Sequence, residues 1–303
     1  MKVLITGSSG LIGSALVPFL TSEGNSVTRL LRSPASSKGS GGSEIVWNPG
    51  GPSAASSKLE GFDAVIHLAG ENIAEGRWTE AKKARIRESR TKPTRALSEA
   101  LAKLSNPPRT LVSASAVGFY GHRGDEILRE GSAPGSGYLP EVCLGWEGAT
   151  ASAVQKGIRV VHLRFGVVLA TTGGALAKML PPFRMGVGGK VGDGKQYMSW
   201  IALDDVMGAI HHVLITDRLI GPVNAVAPNP VTNSEFTKTL GRVLSRPTLF
   251  PVPAAAARIA FGEMADALLL ASPRVIPARL VETGYQFRYP ELEGALRHLL
   301  GRG

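Results

Sequence analysis

A chain of 303 residues, 43% hydrophobic and 19% charged, has the composition of an ordinary globular protein with enough apolar material for a full core. One cysteine, Cys143, excludes an internal disulfide and fits a reducing compartment. The net charge of +10 invites a nucleic-acid reading, yet the densest basic run, Arg77 to Arg95, also carries Glu80 and Glu88, and nothing resembles a nucleic-acid motif with interleaved aromatics. It reads as a solvated helix face, so no nucleic-acid partner is expected. No membrane span is expected either, because the most apolar window, Val252 to Ala271, is interrupted by Arg258, Glu263 and Asp266. Lys2 leads straight into an apolar run with no secretory signal before it. The cytoplasm is the default location, with organelle import through a removed segment as the alternative.

The first predicted strand is the apolar run Val3, Leu4, Ile5, of the kind buried on both faces of a parallel sheet. Gly7, Gly10 and Gly13 follow, then an amphipathic helix from about Leu11 to Glu23. A strand, a glycine turn and a helix in that order favour an anionic phosphate, through free N–H groups and the positive end of the helix dipole. Gly7 suits the tight turn, Gly10 the approach of a pyrophosphate and Gly13 the close packing of helix on strand. Ser8, Ser9, Leu11 and Ile12 complete the expected phosphate cradle.

The second strand, Ser26 to Arg32, lacks the acidic residue that bonds a ribose 2′-hydroxyl in NAD-binding proteins of this kind. Arg29 and Arg32 stand there instead, and a guanidinium suits a 2′-phosphate, so NADP(H) is the expected cofactor, with Arg32 favoured at the strand end. Residues 33–58 form a Ser/Gly/Pro-rich connection with one strand candidate, Glu44 to Trp47. A buried strand from Phe62 ends in Leu68, Ala69 and Gly70, where small residues leave room for a cofactor. The next loop places Glu71, Asn72, Arg77 and Trp78 at the edge of the sheet where a ligand crevice opens. Two helices, about Thr79 to Arg90 and Pro93 to Leu104, precede the strand Arg109 to Ser115. His67 reads as a packed strand residue, and no Cys, His or Asp cluster supports a metal.

These strings carry a resemblance. Thr6 with the three glycines is similar to the extended branch of the short-chain dehydrogenase/reductase superfamily, which holds nucleotide-sugar epimerases, dehydratases and related reductases. Ser113 to Gly121 resembles that superfamily's serine strand. The resemblance implies that Ser115, with Ser113 in reserve, bonds the substrate's reacting oxygen. It places Arg164, at the end of the strand Gly157 to Gly166, near the nicotinamide. The superfamily's proton donor and helper form Tyr-x-x-x-Lys, yet here each of the five tyrosines lacks the lysine. On the helix expected to carry the pair, from Tyr138, Cys143 and Glu147 share a face instead. A replacement acid or base would come from Tyr120, Tyr138, Cys143 or Glu147, with the two tyrosines preferred.

Arg90, Trp78, the Glu71–Asn72 turn, the Gly173 to Tyr197 stretch, Met198 to Asp205 and the tail to Pro290 together resemble the epimerase-like, atypical extended proteins with a small C-terminal domain of unknown function. The expected fold is α/β: a Rossmann-type doubly wound parallel sheet, first strand order 3-2-1-4-5-6, with a smaller, mostly helical C-terminal substrate or cap region. Residues 1–170, completed by about 196–229, would be the NADP-binding core, with 171–195 and 230–303 the substrate or cap region. The rim of the substrate pocket would use Glu71, Arg77, Trp78, Arg184, Gln196, Tyr197 and Trp200. Two functions are carried forward. One is an NADP(H)-dependent epimerase-like oxidoreductase acting on a small molecule, a nucleotide sugar or carbonyl compound. The other is a non-catalytic NADP(H)-binding sensor or scaffold, whose apolar Met264 to Leu270 stretch could meet a partner or a second copy in a homodimer.

Overall fold

Alternation inside short apolar runs sets the architecture. In β1 (Lys2–Thr6), Val3 and Ile5 enter one apolar cluster and Leu4 the other, so both faces of the strand are covered. The same holds for β4 (Ala64–His67), every residue of which is buried. These strands join β2 (Ser26–Leu31), β3 (Ser43–Val46), β5 (Thr110–Ala116), β6 (Arg159–Phe165) and β7 (Gly221–Ala225). All pair in parallel, giving one seven-stranded sheet in the order β3-β2-β1-β4-β5-β6-β7. This is a computed structural model, and it describes residues 1–32, 43–48 and 57–302. Most of the 33–58 connection therefore lies outside the described residues, although its predicted strand is β3. The expected order holds, with β7 added beyond β6.

Helices cover both faces. α1 (Leu11–Ser22) and α6 (Leu203–Ile215) place Leu16, Leu20, Val206, Ile210 and Val213 against Val3, Ile5, Val161 and Val223. On the other face α2 (Glu80–Ala102) brings Leu97 and Leu101 onto Leu4, Val65 and Leu111, with α3 (Tyr138–Gly148) and the short α4 (Ala151–Gln155) beside it. Each Leu fully removed from water contributes roughly 2 kcal/mol. α2 corrects an expectation: two helices separated before Pro93 are one. The proline removes a single helical N–H, while Ile86 on one side of it and Leu97 and Leu101 on the other are all buried. Burial on both sides outweighs the missing bond.

The C-terminal region has its own core, in which α5 (Gly174–Arg184), α7 (Asn233–Leu244) and α10 (Leu292–Leu299) surround Trp200 and Phe236. Two buried carboxylates tie the tail to the sheet. Asp205 accepts the backbone N–H groups of Arg288 (2.7 Å) and Tyr289 (2.9 Å). Glu130 Oε1 accepts those of Asn224 (3.1 Å) and Arg279 (3.2 Å). Ahead of these ties, α8 (Ala254–Phe261) leads into a single π-helical turn, Ala265–Leu269, and α9 (Ala278–Glu282) carries the Arg279 amide. Met264, Ala267 and Leu268 pack on Trp78, so much of this apolar stretch covers the chain's own crevice edge.

His67 is a packed strand residue, as its setting in the sequence suggests. Nδ1 lies 2.6 Å from Thr6 Oγ1 and Nε2 2.9 Å from Thr94 Oγ1, which ties β1, β4 and α2 together. Burial holds its pKa at about 4, against 6.5 for a free imidazole. The unfolded chain then binds a proton that the folded one refuses between those values, so stability falls as pH drops from 6.5 to 4. The loss should reach about 3 kcal/mol. Urea midpoints should decline over this window in the wild type and decline less in His67→Gln, and an NMR titration that protonates His67 near pH 6.5 would contradict the assignment.

Candidate functional site

The sheet's chain order reverses between β1 and β4, and the crevice at such a switch point is built from the C-terminal strand ends. At β1 the turn is closed so tightly that only glycine fits. Gly7 has φ +69°, and a Cβ there would meet Leu68 C at 2.7 Å. A Cβ on Gly13 would meet Gly7 O at 2.3 Å. Gly10 donates to Gly7 O (3.0 Å), and Ser14 makes an early helical bond, to Gly10 O (2.9 Å). No side chain caps α1, unlike α2, capped by Thr79, and α7, capped by Thr232. The first amides of α1 are thus left for an outside acceptor. Ser9 and Gly10 are exposed, Ser8 is buried, and Leu11 and Ile12 are partly covered, so the turn's own side chains do not fill it. Gly173 and Gly174 lie over Leu11, where a Cβ on either would stand 3.2 or 3.1 Å from it. These features fit a dinucleotide pyrophosphate.

The two arginines of the second strand part company. Arg32, just past the end of β2, is exposed at the crevice edge. Arg29 is buried inside β2 and its Nη2 pairs with Glu44 Oε1 of β3 at 2.7 Å. The register sets Arg29 beside Glu44, so this guanidinium serves the sheet and is withdrawn from the cofactor set.

Beyond β4 the polar groups form one internal network. Ser115 Oγ donates to Glu147 Oε1 (2.7 Å), and Arg164 grips both Glu147 oxygens, Nε to Oε1 at 2.8 Å and Nη2 to Oε2 at 2.9 Å. Burial works against the Glu147 carboxylate, but the Arg164 pair outweighs it and holds the pKa below the usual range. Arg164 Nη1 also donates to Tyr120 OH (2.9 Å), which donates to Asn224 Oδ1 (2.7 Å). Tyr120 is wholly enclosed, and burial raises its pKa. Two expectations are corrected: Tyr120 has no route to a substrate, and Arg164, 3% exposed, is an internal cation. Ser115 is at the strand end as expected, with its proton committed to Glu147.

α3, where the missing dyad would sit, is chemically quiet. Burial pushes the Cys143 thiol up to about 12. Tyr138 is half-buried, donates to Lys83 O (2.7 Å) and packs edge-on against Trp78 at 5.3 Å. Burial raises its pKa too. The residue with charge to offer is one that sequence reasoning gave no role. Arg90 of α2 lies over the Trp146 ring at 5.1 Å and against Gly70, where a Cβ would be 3.5 Å from its guanidinium carbon. Its donors reach Glu71 O (3.0 Å) and Ile86 O (3.1 Å). Among the described residues no carboxylate comes within ion-pair distance of it, and burial lowers its pKa against the pull of Cys143, Tyr138 and Glu71. A sheltered cation without a counter-ion beside the crevice suits an electron-rich ligand. The sequence signal, one arginine on a helix crowded with arginines, was hidden by its neighbours.

The seven rim residues scatter. Glu71, Arg77 and Trp78 do stand together at the mouth. Glu71 pairs with Lys82 (2.6 Å), whose hydrogen bond lowers the carboxyl pKa. Arg77 holds Ile259 O, and Trp78 Nε1 donates to Ile73 O (2.8 Å). Gln196 and Tyr197 instead fix the tail: Gln196 Nε2 bonds Val191 O (3.0 Å) and Leu269 O (2.9 Å), and Arg274 stacks on Tyr197 at 4.6 Å. Trp200 is fully buried core. Arg184 ends α5, whose start lies over the glycine turn, and eleven helical residues place that end about 16 Å away.

Comparison with known proteins agrees with this geometry. Residues 3–224 match the NAD dependent epimerase/dehydratase family and residues 252–299 a domain of unknown function, DUF1731. An epimerase family protein of Mycobacterium bovis is 44% identical over 301 residues, covering 99% of this chain and 98% of that protein. The crystal structure of human epimerase family protein SDR39U1 with NADPH superposes with a TM-score of 0.89 at 35% identity, covering 99% of each chain. A nucleoside-diphosphate sugar epimerase structure from Corynebacterium glutamicum superposes at 0.81 with 41% identity, covering 99% of this chain and 58% of that one. With its Rossmann-like sheet, its glycine turn and its C-terminal helical region, this chain belongs to the NAD-dependent epimerase/dehydratase family of short-chain dehydrogenase/reductase proteins, in the branch that ends in DUF1731.

Proposed function

We propose that the protein binds NADP(H) across the C-terminal edge of its sheet and uses it as a hydride carrier for a small carbonyl or nucleotide-sugar substrate. The observation that carries this reading is the uncapped α1 behind a turn whose Gly7 and Gly13 admit no Cβ, with exposed Arg32 at the neighbouring strand end. The pyrophosphate would rest on the amides of α1, and Arg32 would take the 2′-phosphate. Leu68, Ala69 and Gly70 would floor the path toward the nicotinamide half. Arg90, beside Gly70, would meet that half with its unpaired charge. The bound coenzyme supplies the hydride; the protein's part is to orient it and to exclude water. The human relative's capture with NADPH supports the choice of the phosphorylated form.

A second reading, an NADP(H)-binding sensor without turnover, is favoured by one observation. The hydroxyls of Ser115, Tyr120 and Tyr138 are each donated to a protein acceptor. A panel of small carbonyl compounds and nucleotide sugars separates the two readings. NADPH oxidation or an epimerised product supports the first; tight NADPH binding with neither supports the second.

Titration should show NADPH binding more tightly than NADH, with Arg32→Ala removing about tenfold of the preference. Equal affinities in the wild type would remove the argument from β2. Arg90→Met should weaken NADPH about tenfold yet leave 2′,5′-ADP, which lacks the nicotinamide riboside, unchanged. Equal losses for both ligands would make Arg90 a structural pin of the Gly70–Glu71 turn.

A further inference from the structure

A second basic site lies at the far end of α5. Three helices of the C-terminal core, α5, α7 and α10, end around one concavity of about 260 Å³ lined by Arg184, Leu244, Arg246, Leu300 and Arg302. The arginines are exposed at its rim, while Leu244 is buried and Leu300 partly so, forming an apolar floor. Among the described residues, none of Arg184, Arg246 and Arg302 has a carboxylate within 4.0 Å. The local acid, Glu293, is already taken by two other arginines, Arg242 and Arg297.

The ordinary explanation for cations at helix C-termini is the helix dipole. Here the backbone has already met much of that demand. Met185 and Gly186 N–H groups cap Pro181 and Phe183 O at the end of α5, and Ser245 and Arg246 N–H groups cap Arg242 and Gly241 O at the end of α7. Leu300, Gly301 and Arg302 N–H groups cap Leu296, His298 and Arg297 O at the end of α10. Each helix end carries about half a negative charge against a full positive charge per guanidinium, so the concavity keeps a positive surplus. The chain also aims Arg246 there by an uncommon route. Ser245 takes the left-handed region, φ 54°, the sole non-glycine among the described residues with positive φ. That turn brings Arg246 Nε back onto Arg184 O at 2.9 Å and Nη1 onto Ser245 O at 3.3 Å, and leaves Nη2 for a ligand.

We propose that this concavity binds a phosphate monoester of a small apolar compound, separately from the dinucleotide crevice. Three guanidiniums would hold the phosphoryl oxygens by charge-assisted hydrogen bonds, and the leucine floor would take the organic group.

Calorimetric titration of the full chain with phenyl phosphate and with inorganic phosphate tests this, with potassium chloride at matched ionic strength as the blank. Phenyl phosphate should bind saturably and more tightly than phosphate, both in the wild type and in Arg32→Ala, which lacks the 2′-phosphate contact of the dinucleotide crevice. Arg184→Gln and Arg302→Gln, whose side chains make no protein hydrogen bond among the described residues, should each lower the affinity about tenfold. Unliganded melting at the wild-type temperature certifies that both variants fold. The proposal fails if binding matches the chloride blank, if it disappears in Arg32→Ala while surviving in Arg302→Gln, or if phosphate binds as tightly as its phenyl ester.

Discussion

The crevice depends on one tight approach, between α1 and the turn that precedes it. Gly13 lies on Gly7 O so closely that one methyl group would push the helix off the strand. That contact sets where α1 begins, and with it where the free amides point. A Ser, Thr or Asp at the helix start would have satisfied one of those amides and stabilised the helix by a few tenths of a kcal/mol over glycine. Gly10 stands there instead. The chain forgoes that stability at the one helix start facing the sheet's switch point, and the remaining arrangement of the crevice follows from this choice.

Interior electrostatics distinguish this chain from the pattern of its superfamily. The helix expected to carry the dyad holds Cys143, a small thiol kept neutral by burial, and no lysine. Charge enters instead from two directions. Arg164 is spent inside, against Glu147, locking β5, β6 and α3 together. Burying such a pair costs desolvation that its attraction roughly offsets, so its worth lies in fixing geometry more than in net stability. Arg90 comes from α2 and has no such partner. A protein holding one neutralised and one unneutralised cation on either side of the same helix has separated the structural charge from the one available to a ligand.

The sequence made legible whatever depends on neighbours within a few residues. The glycine spacing, the buried strands, the uncapped helix start and the missing lysine are local facts, and the family strings pointed to a tail domain. What it hid depends on register and on distant packing. Arg29 looks like a cofactor ligand until β3 brings Glu44 alongside, and no pattern within β2 announces that partner. Tyr120 and Trp200 carry polar tips that suit a ligand site, yet both side chains are fully buried, with hydrogen bonds to Asn224 Oδ1 and to Asn229 O. Pro93 signals a break that tertiary burial on both sides overrides.

The tail is what turns an open edge into an enclosed one. Arg77 on Ile259 O, Lys83 with Glu263 and Met264 on Trp78 fasten the DUF1731 segment across the loop after β4. Asp205 and Glu130 fasten the same tail at its other end, through backbone amides that among substitutions in the tail only proline would remove. The inner anchors are buried while the outer ones, Arg77 and the Lys83–Glu263 pair, face water, where ion pairs contribute little. Opening is therefore easiest at the Trp78 side, whereas the Tyr138 hydroxyl, donated to Lys83 O, joins α3 to α2 and does not depend on the tail.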